Sequence, residues 1–158
     1  MKKRILYIII TLLCPIMAHA QIDTDRVMSI GRNALYFEDY VLSIQYFNQV
    51  INAKPYIAES YFFRGLAKFN LDDYQGAEED CSEALERNPF VVSAYQIRGL
   101  ARIQQENYTG AIEDYQKALK LDPENINVWH NLSLCRMKND DYDGAKRSLD
   151  SLIIISPR

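Results

Sequence analysis

Residues 92–123 read VSAYQIRGLARIQQENYTGAIEDYQKALKLDP, and this stretch decides the fold. Apolar side chains recur in it at steps of three and four residues, in one run before and one run after the polar segment Gln105-Glu106-Asn107. That period is typical of amphipathic helices. Pro123 follows the second run, and proline cannot continue a helix because it lacks a backbone N–H. The stretch therefore predicts two helices of about 13 residues each, joined by a short turn.

The same unit occurs four times along the chain. Proline recurs at a constant step, at Pro55, Pro89, Pro123 and Pro157. Three further columns keep this step, namely a small residue (Gly31, Gly65, Gly99, Ser133), an aromatic residue (Tyr40, Tyr74, Tyr108, Tyr142) and a second small residue (Ser43, Ala77, Ala111, Ala145). We call the predicted units one to four, and they span approximately residues 24–57, 58–91, 92–125 and 126–158 of a single domain, 21–158.

The repeat resembles the tetratricopeptide repeat, whose 34-residue pattern contains W-x2-L-G, then A-x3-F, then P. Unit four reads Trp129-x2-Leu132-Ser133, and unit three reads Tyr95-x2-Arg98-Gly99. Unit one is the weakest match, since Val27 fills the aromatic place. The resemblance implies an all-α fold, a right-handed superhelical solenoid of four helix-turn-helix repeats. It also implies a non-catalytic protein-interaction module or scaffold.

Two arginines depart from the repeat pattern. Arg64 and Arg98 stand where the pattern has leucine, and Asp80 and Asp114 follow them at one and the same separation along the chain. In units one and four both the arginine and the aspartate are absent. Because a partly buried arginine is costly without a counterion, this joint occurrence predicts a structural salt bridge within each of units two and three.

Family resemblance implies that the first helices line a concave groove that holds an extended peptide or a helix of a partner protein. The side chains expected to line it share equivalent places on the four first helices: Met28, Arg32, Leu35, Phe62, Leu66, Phe69, Gln96, Leu100, Ile103, His130, Leu134 and Met137. This lining is mainly apolar and fits an amphipathic helix or an apolar peptide. Each of these side chains could instead pack between adjacent units.

Some members of this family grip the C-terminal carboxylate of a chaperone with Lys, Arg and Asn on their first helices. The corresponding places here hold Met28, Arg32, Phe63, Ser93 and Ile97. Only Arg32 is suited to that role, so the sequence does not predict this activity.

Composition and motifs argue against several other classes of protein. Without Lys2, Lys3 and Arg4, the 18 basic residues fall to 15 against 21 acidic ones, and an acidic chain is poorly suited to binding nucleic acid. No G-x-S-x-G motif or glycine-rich phosphate loop is present, and His130 is the one histidine after residue 20. We therefore predict no catalytic residues, no metal site and no cofactor. Cys81 and Cys135 are expected to be free, buried thiols.

The first twenty residues are predicted to be a secretory signal peptide. A basic start is followed by an apolar run from Ile5 to Met17 and by Ala18-His19-Ala20. An uncleaved anchor and a lipidated Cys14 are the alternatives, but the run is shorter than the roughly 20 residues that span a bilayer. Leu13 also stands where a lipoprotein signal has a small residue. The mature chain is therefore expected to be exported, periplasmic or secreted, with no membrane attachment after cleavage.

The last predicted helix carries the apolar run Leu152-Ile153-Ile154-Ile155, of which not every side chain can face the core. An exposed apolar face there is consistent with docking, with truncation relative to a longer relative, or with self-association. The alternative function is therefore a structural protein that forms homo-oligomers through this C-terminal helix.

Overall fold

The structure, a computed structural model, describes residues 23–156. Within this range the chain forms eight α-helices and no strand. The helices are α1 (Thr24–Tyr36), α2 (Tyr40–Ala53), α3 (Ala58–Asn70), α4 (Tyr74–Arg87), α5 (Val92–Gln104), α6 (Tyr108–Leu121), α7 (Ile126–Lys138) and α8 (Tyr142–Ile155). Consecutive pairs form four helical hairpins, so the predicted all-α solenoid of helix-turn-helix repeats is confirmed. The predicted signal peptide, residues 1–20, and Pro157 lie outside the described range.

Side-chain caps explain where the second helix of each hairpin begins. The capping residues are Asp39, Asp73, Asn107 and Asp141, and each accepts a hydrogen bond from the backbone N–H three residues later. The residue before each cap (Glu38, Asp72, Glu106, Asp140) has a φ between 59° and 62°, which turns the chain sharply between the helices. The polar turn segments are therefore local signals that end one helix and start the next.

Small residues allow the two helices of a hairpin to approach closely. A Cβ atom added to Gly99 would lie 2.9 Å from Cε1 of Tyr115, and one added to Gly31 would lie 2.8 Å from Cε1 of Phe47. Real Cβ atoms do not come this close to a ring. At Gly31 and Gly99 a large ring of the second helix therefore occupies the space beside the glycine, whereas the backbone and small side chains of the second helix come close to Gly65.

The repeated prolines also connect successive units. The carbonyl of Pro55 accepts a hydrogen bond from the Tyr61 hydroxyl at 3.1 Å, and the carbonyl of Pro123 accepts one from Nε1 of Trp129 at 2.8 Å. In both cases the donor is the aromatic residue of the next first helix. This contact satisfies a backbone carbonyl after the helix end and fixes where the following unit starts.

The core runs continuously through units two to four. Its buried members are Tyr61, Ala84, Leu85, Ala94, Tyr95, Ala111, Tyr115, Ala118, Leu119, Val128, Leu132 and Cys135. A smaller cluster of Met28, Phe47 and Val50 lies in unit one.

The first helices α1 and α3, and likewise α3 and α5, touch each other directly, while no two second helices among residues 23–156 make comparable contact. The first helices α1, α3 and α5 therefore lie on the inner side of the stack. No helix in this range is long and apolar enough to cross a bilayer.

Candidate functional site

The predicted groove residues lie on the first helices α1, α3, α5 and α7, and most of them are partly accessible. We call the side of these helices that carries the predicted groove residues the inner face. His130 is exposed, and Leu134 and Met137 are each 41% exposed. The half-buried members are Leu35, Phe62, Leu66, Phe69, Gln96, Leu100 and Ile103. Phe62 and Ile103 also pack against the main core, which is the alternative role that the sequence left open for them.

Unit one contributes differently to this face. Met28 is only 7% exposed, because it packs with Phe47 and Val50 in the core of this unit, and it offers little surface to a partner. Arg32 is exposed, with its guanidinium carbon 5.9 Å from the centre of the Phe63 ring.

Phe63 was not among the predicted groove residues. Its ring stacks on Phe47 at 5.6 Å and contacts Phe62 at 5.1 Å, which joins unit one to unit two. Because Phe63 follows Phe62 directly, the sequence did not indicate which of the two rings would face the neighbouring unit.

A cleft of about 290 Å³ opens between α1 and α3 at the N-terminal end of the inner face. Its lining residues are Thr24, Asp25, Met28, Arg32, Ile57 and Glu59. This end of the face carries charges of both signs, whereas the leucines at equivalent places of the next three first helices, Leu66, Leu100 and Leu134, give the middle an apolar character.

Both predicted salt bridges are present in the structure. Nη2 of Arg64 lies 2.5 Å from Oδ1 of Asp80, and Nη2 of Arg98 lies 2.6 Å from Oδ1 of Asp114. In each pair Nε donates a second hydrogen bond to the other carboxylate oxygen, at 2.8 and 3.0 Å. Each arginine also reaches the preceding second helix, where it donates to Asn48 or Ser82. Each of these arginines therefore connects three helices: its own, the second helix of its unit and the second helix of the preceding unit.

The carboxylates raise the pKa of both guanidinium groups above the ordinary value. For Arg64 the hydrogen bond to Asp80 is the largest influence. For Arg98 burial acts most strongly and lowers the pKa, but the hydrogen bond and the negative charge of Asp114 outweigh it. Both arginines therefore remain charged.

Each buried aspartate has a second cation that the sequence analysis missed. Nζ of Lys68 lies 2.9 Å from Asp80, and Nη1 of Arg102 lies 2.9 Å from Asp114. Arg102 also pairs with Glu78 of α4 at 2.8 Å. The signal was present, since Lys68 and Arg102 stand one repeat length apart like the other columns.

The two cysteines in the described range are free and buried. Burial raises the pKa of the Cys81 thiol to about 12 and that of Cys135 to about 11, from an ordinary value of 9.0. Neither residue is placed as a nucleophile, because a neutral, inaccessible thiol does not react readily.

This predicts slow thiol chemistry in the native protein. At pH 8 we expect Ellman's reagent to modify Cys81 about a thousandfold more slowly than in the urea-unfolded chain, as followed by mass spectrometry of the cysteine peptides. Folding favours the neutral form of both thiols, so their contribution to the stability of the fold is complete below pH 9. It is lost as the pH rises through the folded-state pKa values, about 11 for Cys135 and about 12 for Cys81. Equal rates in the folded and unfolded chain would contradict the buried placement.

Within residues 23–156, no group of three His, Cys, Asp or Glu side chains is arranged to hold a metal ion. His130 lies exposed on α7.

Comparison with known proteins adds family information. A family model described as "TPR repeat" matches residues 99–140, and one described as "Tetratricopeptide repeat" matches residues 58–90. A search of curated proteins finds no match.

Solved structures share the architecture. The first TPR domain of Spaghetti (RPAP3), bound to the HSP90 peptide SRMEEVD, is 26% identical over 74% of this chain and 95% of its own, with a TM-score of 0.72. The TPR domain of Arabidopsis OM64 is 26% identical over 72% of this chain and 94% of its own, with a TM-score of 0.71. MamA from Desulfovibrio magneticus RS-1 is 23% identical over 87% of this chain and 78% of its own, with a TM-score of 0.80, and shows the fold alone.

Proposed function

We propose that this chain, in which tetratricopeptide repeats are present, is a non-catalytic protein-interaction module that binds an apolar peptide or an amphipathic helix of a partner on its inner face. The observation that carries the proposal is the column of Leu66, Leu100 and Leu134, which stand at equivalent places on three successive first helices and are each partly exposed. The peptide-bound Spaghetti (RPAP3) domain supports the choice of this class of function.

The spacing of the three leucines sets the spacing of apolar side chains that we expect in a partner. Packed helices lie about 8–10 Å apart, and α3 and α5 contact each other directly, so Leu66 and Leu100 form contact points at roughly that spacing. A helical partner rises about 1.5 Å per residue and would place an apolar side chain on successive leucines about every seventh residue. An extended peptide in the polyproline II conformation has three residues per turn and rises about 3.1 Å per residue, so it would do so about every third residue. Arg32 is the one cation at the places where family members hold a carboxylate. We therefore expect apolar contacts, rather than ion pairs, to contribute most to binding.

A charge placed on the apolar face tests it. The double variant Phe69→Glu, Leu100→Glu is expected to abolish capture of partner proteins, because two carboxylates would be buried in the contact. Leu134→Glu, at a side chain 41% exposed, is expected to weaken capture with less risk to the fold. The matched control is Val41→Glu, Tyr142→Glu, which adds the same charge at exposed positions on second helices.

Circular dichroism should show equal helix content in all variants. Capture that persists in both inner-face variants, or that is lost equally in the control, would rule out the inner face as the binding site.

Self-association is the second candidate function. On α8, Ile153 is 65% exposed and Ile154 is 79% exposed, and a cleft of about 570 Å³ is lined by Ile126, Leu152, Ile153 and Ser156. Light scattering coupled to size-exclusion chromatography distinguishes the candidates. A stable oligomer that Ile153→Glu converts to a monomer would favour the structural role, and a monomer that captures partners would favour the interaction module.

We also propose that the protein is exported to the periplasm or beyond. The proposal rests on the basic start, apolar run and Ala18-His19-Ala20 site of the first twenty residues. N-terminal sequencing of the protein from a cell-envelope fraction is expected to begin at Gln21. A mature protein that still begins at Met1 would contradict cleavage.

A further inference from the structure

Unit four keeps a cation but lacks the buried carboxylate that neutralises its counterpart. Arg136 stands one repeat length after Arg102, and Nη1 of each donates to a backbone carbonyl of the following helix, at 3.0 and 3.1 Å. Arg102 also pairs with Asp114 at 2.9 Å. The counterpart of Asp114 is Ser148, whose uncharged Oγ lies 2.7 Å from Nη1 of Arg136.

The second carboxylate partner is missing as well. Glu78, which pairs with Arg102 from the preceding helix α4, corresponds to Ile112 of α6, the helix that precedes Arg136 in the same way. Nε of Arg136 is buried without a hydrogen-bond partner, and its nearest carboxylate, Asp141, lies 3.7 Å away and is 42% exposed. The guanidinium of Arg136 is therefore only weakly neutralised, and a nearby negative charge would be stabilised by it.

An open cleft of about 390 Å³ adjoins this guanidinium, between α6, α7 and α8. Its lining residues are Gln116, Leu119, Lys120, Trp129, Leu132, Arg136, Arg147 and Ser151. In unit three the long side chain of Arg98 lies at the place of Leu132 and bridges the neighbouring helices. The shorter Leu132 leaves that space open.

The rim of the cleft is positively charged, whereas the equivalent place one unit earlier is negatively charged. Lys120 replaces Glu86, and Arg147 replaces Glu113. Both basic side chains belong to exposed residues, and neither forms an ion pair with another residue in the range 23–156. Three cations and no carboxylate therefore line the cleft.

We propose that this cleft binds a carboxylate carried on an apolar body, either a small organic acid or an acidic side chain flanked by apolar residues of a peptide. The carboxylate takes the place of the aspartate that unit four lacks and pairs with Arg136, Lys120 and Arg147. The apolar body lies against Trp129 and Leu119. A volume of about 390 Å³ is within the usual range for small-molecule sites.

This site is separate from the inner face. Successive residues of a helix are about 100° apart, which places Leu132 and Arg136 on roughly the opposite side of α7 from His130, Leu134 and Met137. A ligand in the cleft therefore leaves the proposed groove free.

Trp129 is the single tryptophan of the chain and lines the cleft, so its fluorescence reports binding directly. We expect hexanoate to change this fluorescence saturably. Hexanamide, which has the apolar body without the charge, and acetate, which has the charge without the body, are each expected to bind at least about tenfold more weakly.

Two variants remove the site in different ways. Ser148→Asp supplies Arg136 with the internal carboxylate of the other units and is expected to abolish hexanoate binding. Ser29→Asp, at an exposed serine of α1, adds the same charge far from the cleft and is expected to bind as the unaltered chain does. The double variant Lys120→Gln, Arg147→Gln changes only exposed residues and is expected to weaken binding about tenfold without affecting the fold.

The capped peptide acetyl-Leu-Glu-Leu-amide, compared with acetyl-Leu-Gln-Leu-amide, distinguishes the two sources of carboxylate. Preference for the glutamate peptide assigns the site to a protein ligand, and binding of hexanoate alone assigns it to a small acid. The proposal is overturned if neither carboxylate binds better than its neutral analogue, or if Ser148→Asp and Lys120→Gln, Arg147→Gln both bind hexanoate as tightly as the unaltered chain.

Discussion

Replacing Asp114 with alanine is expected to lower the free energy of unfolding by about 3–5 kcal/mol. Asp114 is fully buried, and its two carboxylate oxygens receive hydrogen bonds from Arg98 at 2.6 and 3.0 Å and from Arg102 at 2.9 Å. The substitution would leave two largely buried guanidinium groups without their shared counterion. Urea unfolding followed by circular dichroism measures the loss.

Unit four provides the matched control for this substitution. Ser148→Ala removes the equivalent side chain, which is also fully buried but uncharged. Its hydroxyl accepts one hydrogen bond from Arg136 and donates one to the carbonyl of Gly144. We expect it to cost about 1 kcal/mol. Equal losses for Asp114→Ala and Ser148→Ala would contradict the role assigned to the buried ion pairs.

The double variant Arg98→Leu, Asp114→Ser copies unit four into unit three. Because a buried ion pair can often be replaced by apolar packing at little cost, it is expected to be more stable than Asp114→Ala by about 2 kcal/mol. A double variant less stable than the single one would mean that the arginine, rather than its pairing, is what the fold requires.

Replacing Tyr115 with alanine is expected to cost about 3–5 kcal/mol, the usual loss for a large buried aromatic side chain. Tyr115 is fully buried in the centre of the core, and its ring fills the space that Gly99 leaves open. The variant would leave a cavity between the two helices of unit three. Urea unfolding measures this loss under the same conditions as for Asp114.

Tyr115→Phe is the control that separates the ring from its hydroxyl. The hydroxyl is buried without a hydrogen-bond partner, and burial raises the pKa of the phenol above its ordinary value. We expect Tyr115→Phe to leave the stability unchanged or to raise it by about 1 kcal/mol. A loss as large as that of Tyr115→Ala would show that the hydroxyl has a partner essential to the core.

Much of the fold could be predicted because its signals are local and repeated. The turn caps, the prolines and the glycine column each act within one unit or at its border, and each recurs at the same step along the chain. The pairing of Arg64 with Asp80 was also predictable, since units one and four lack both an arginine and an aspartate at the equivalent places.

The exposure of the groove residues was less predictable. Met28 and His130 occupy equivalent places on their first helices, yet Met28 is buried and His130 is exposed. The difference arises from the neighbouring helices, because Met28 packs into the Phe47 cluster. A helical period identifies which side chains share a face, but the packing between units decides how far each is covered.

The cleft at Arg136 required the three-dimensional arrangement. Its three cations come from three different helices and are spread along the sequence from Lys120 to Arg147. None of these residues indicates a binding site when its sequence position is considered alone. Only their convergence around the space left by Leu132 creates a basic cleft.

Hydrogen–deuterium exchange of the chain with and without a captured partner tests the central claim most directly, since it reports separately on the inner and outer helices. We expect partner binding to slow exchange in α3, α5 and α7, with the largest effect around Leu66, Leu100 and Leu134. Slower exchange confined to the second helices α2, α4, α6 and α8 would contradict the assignment of the inner face as the binding surface.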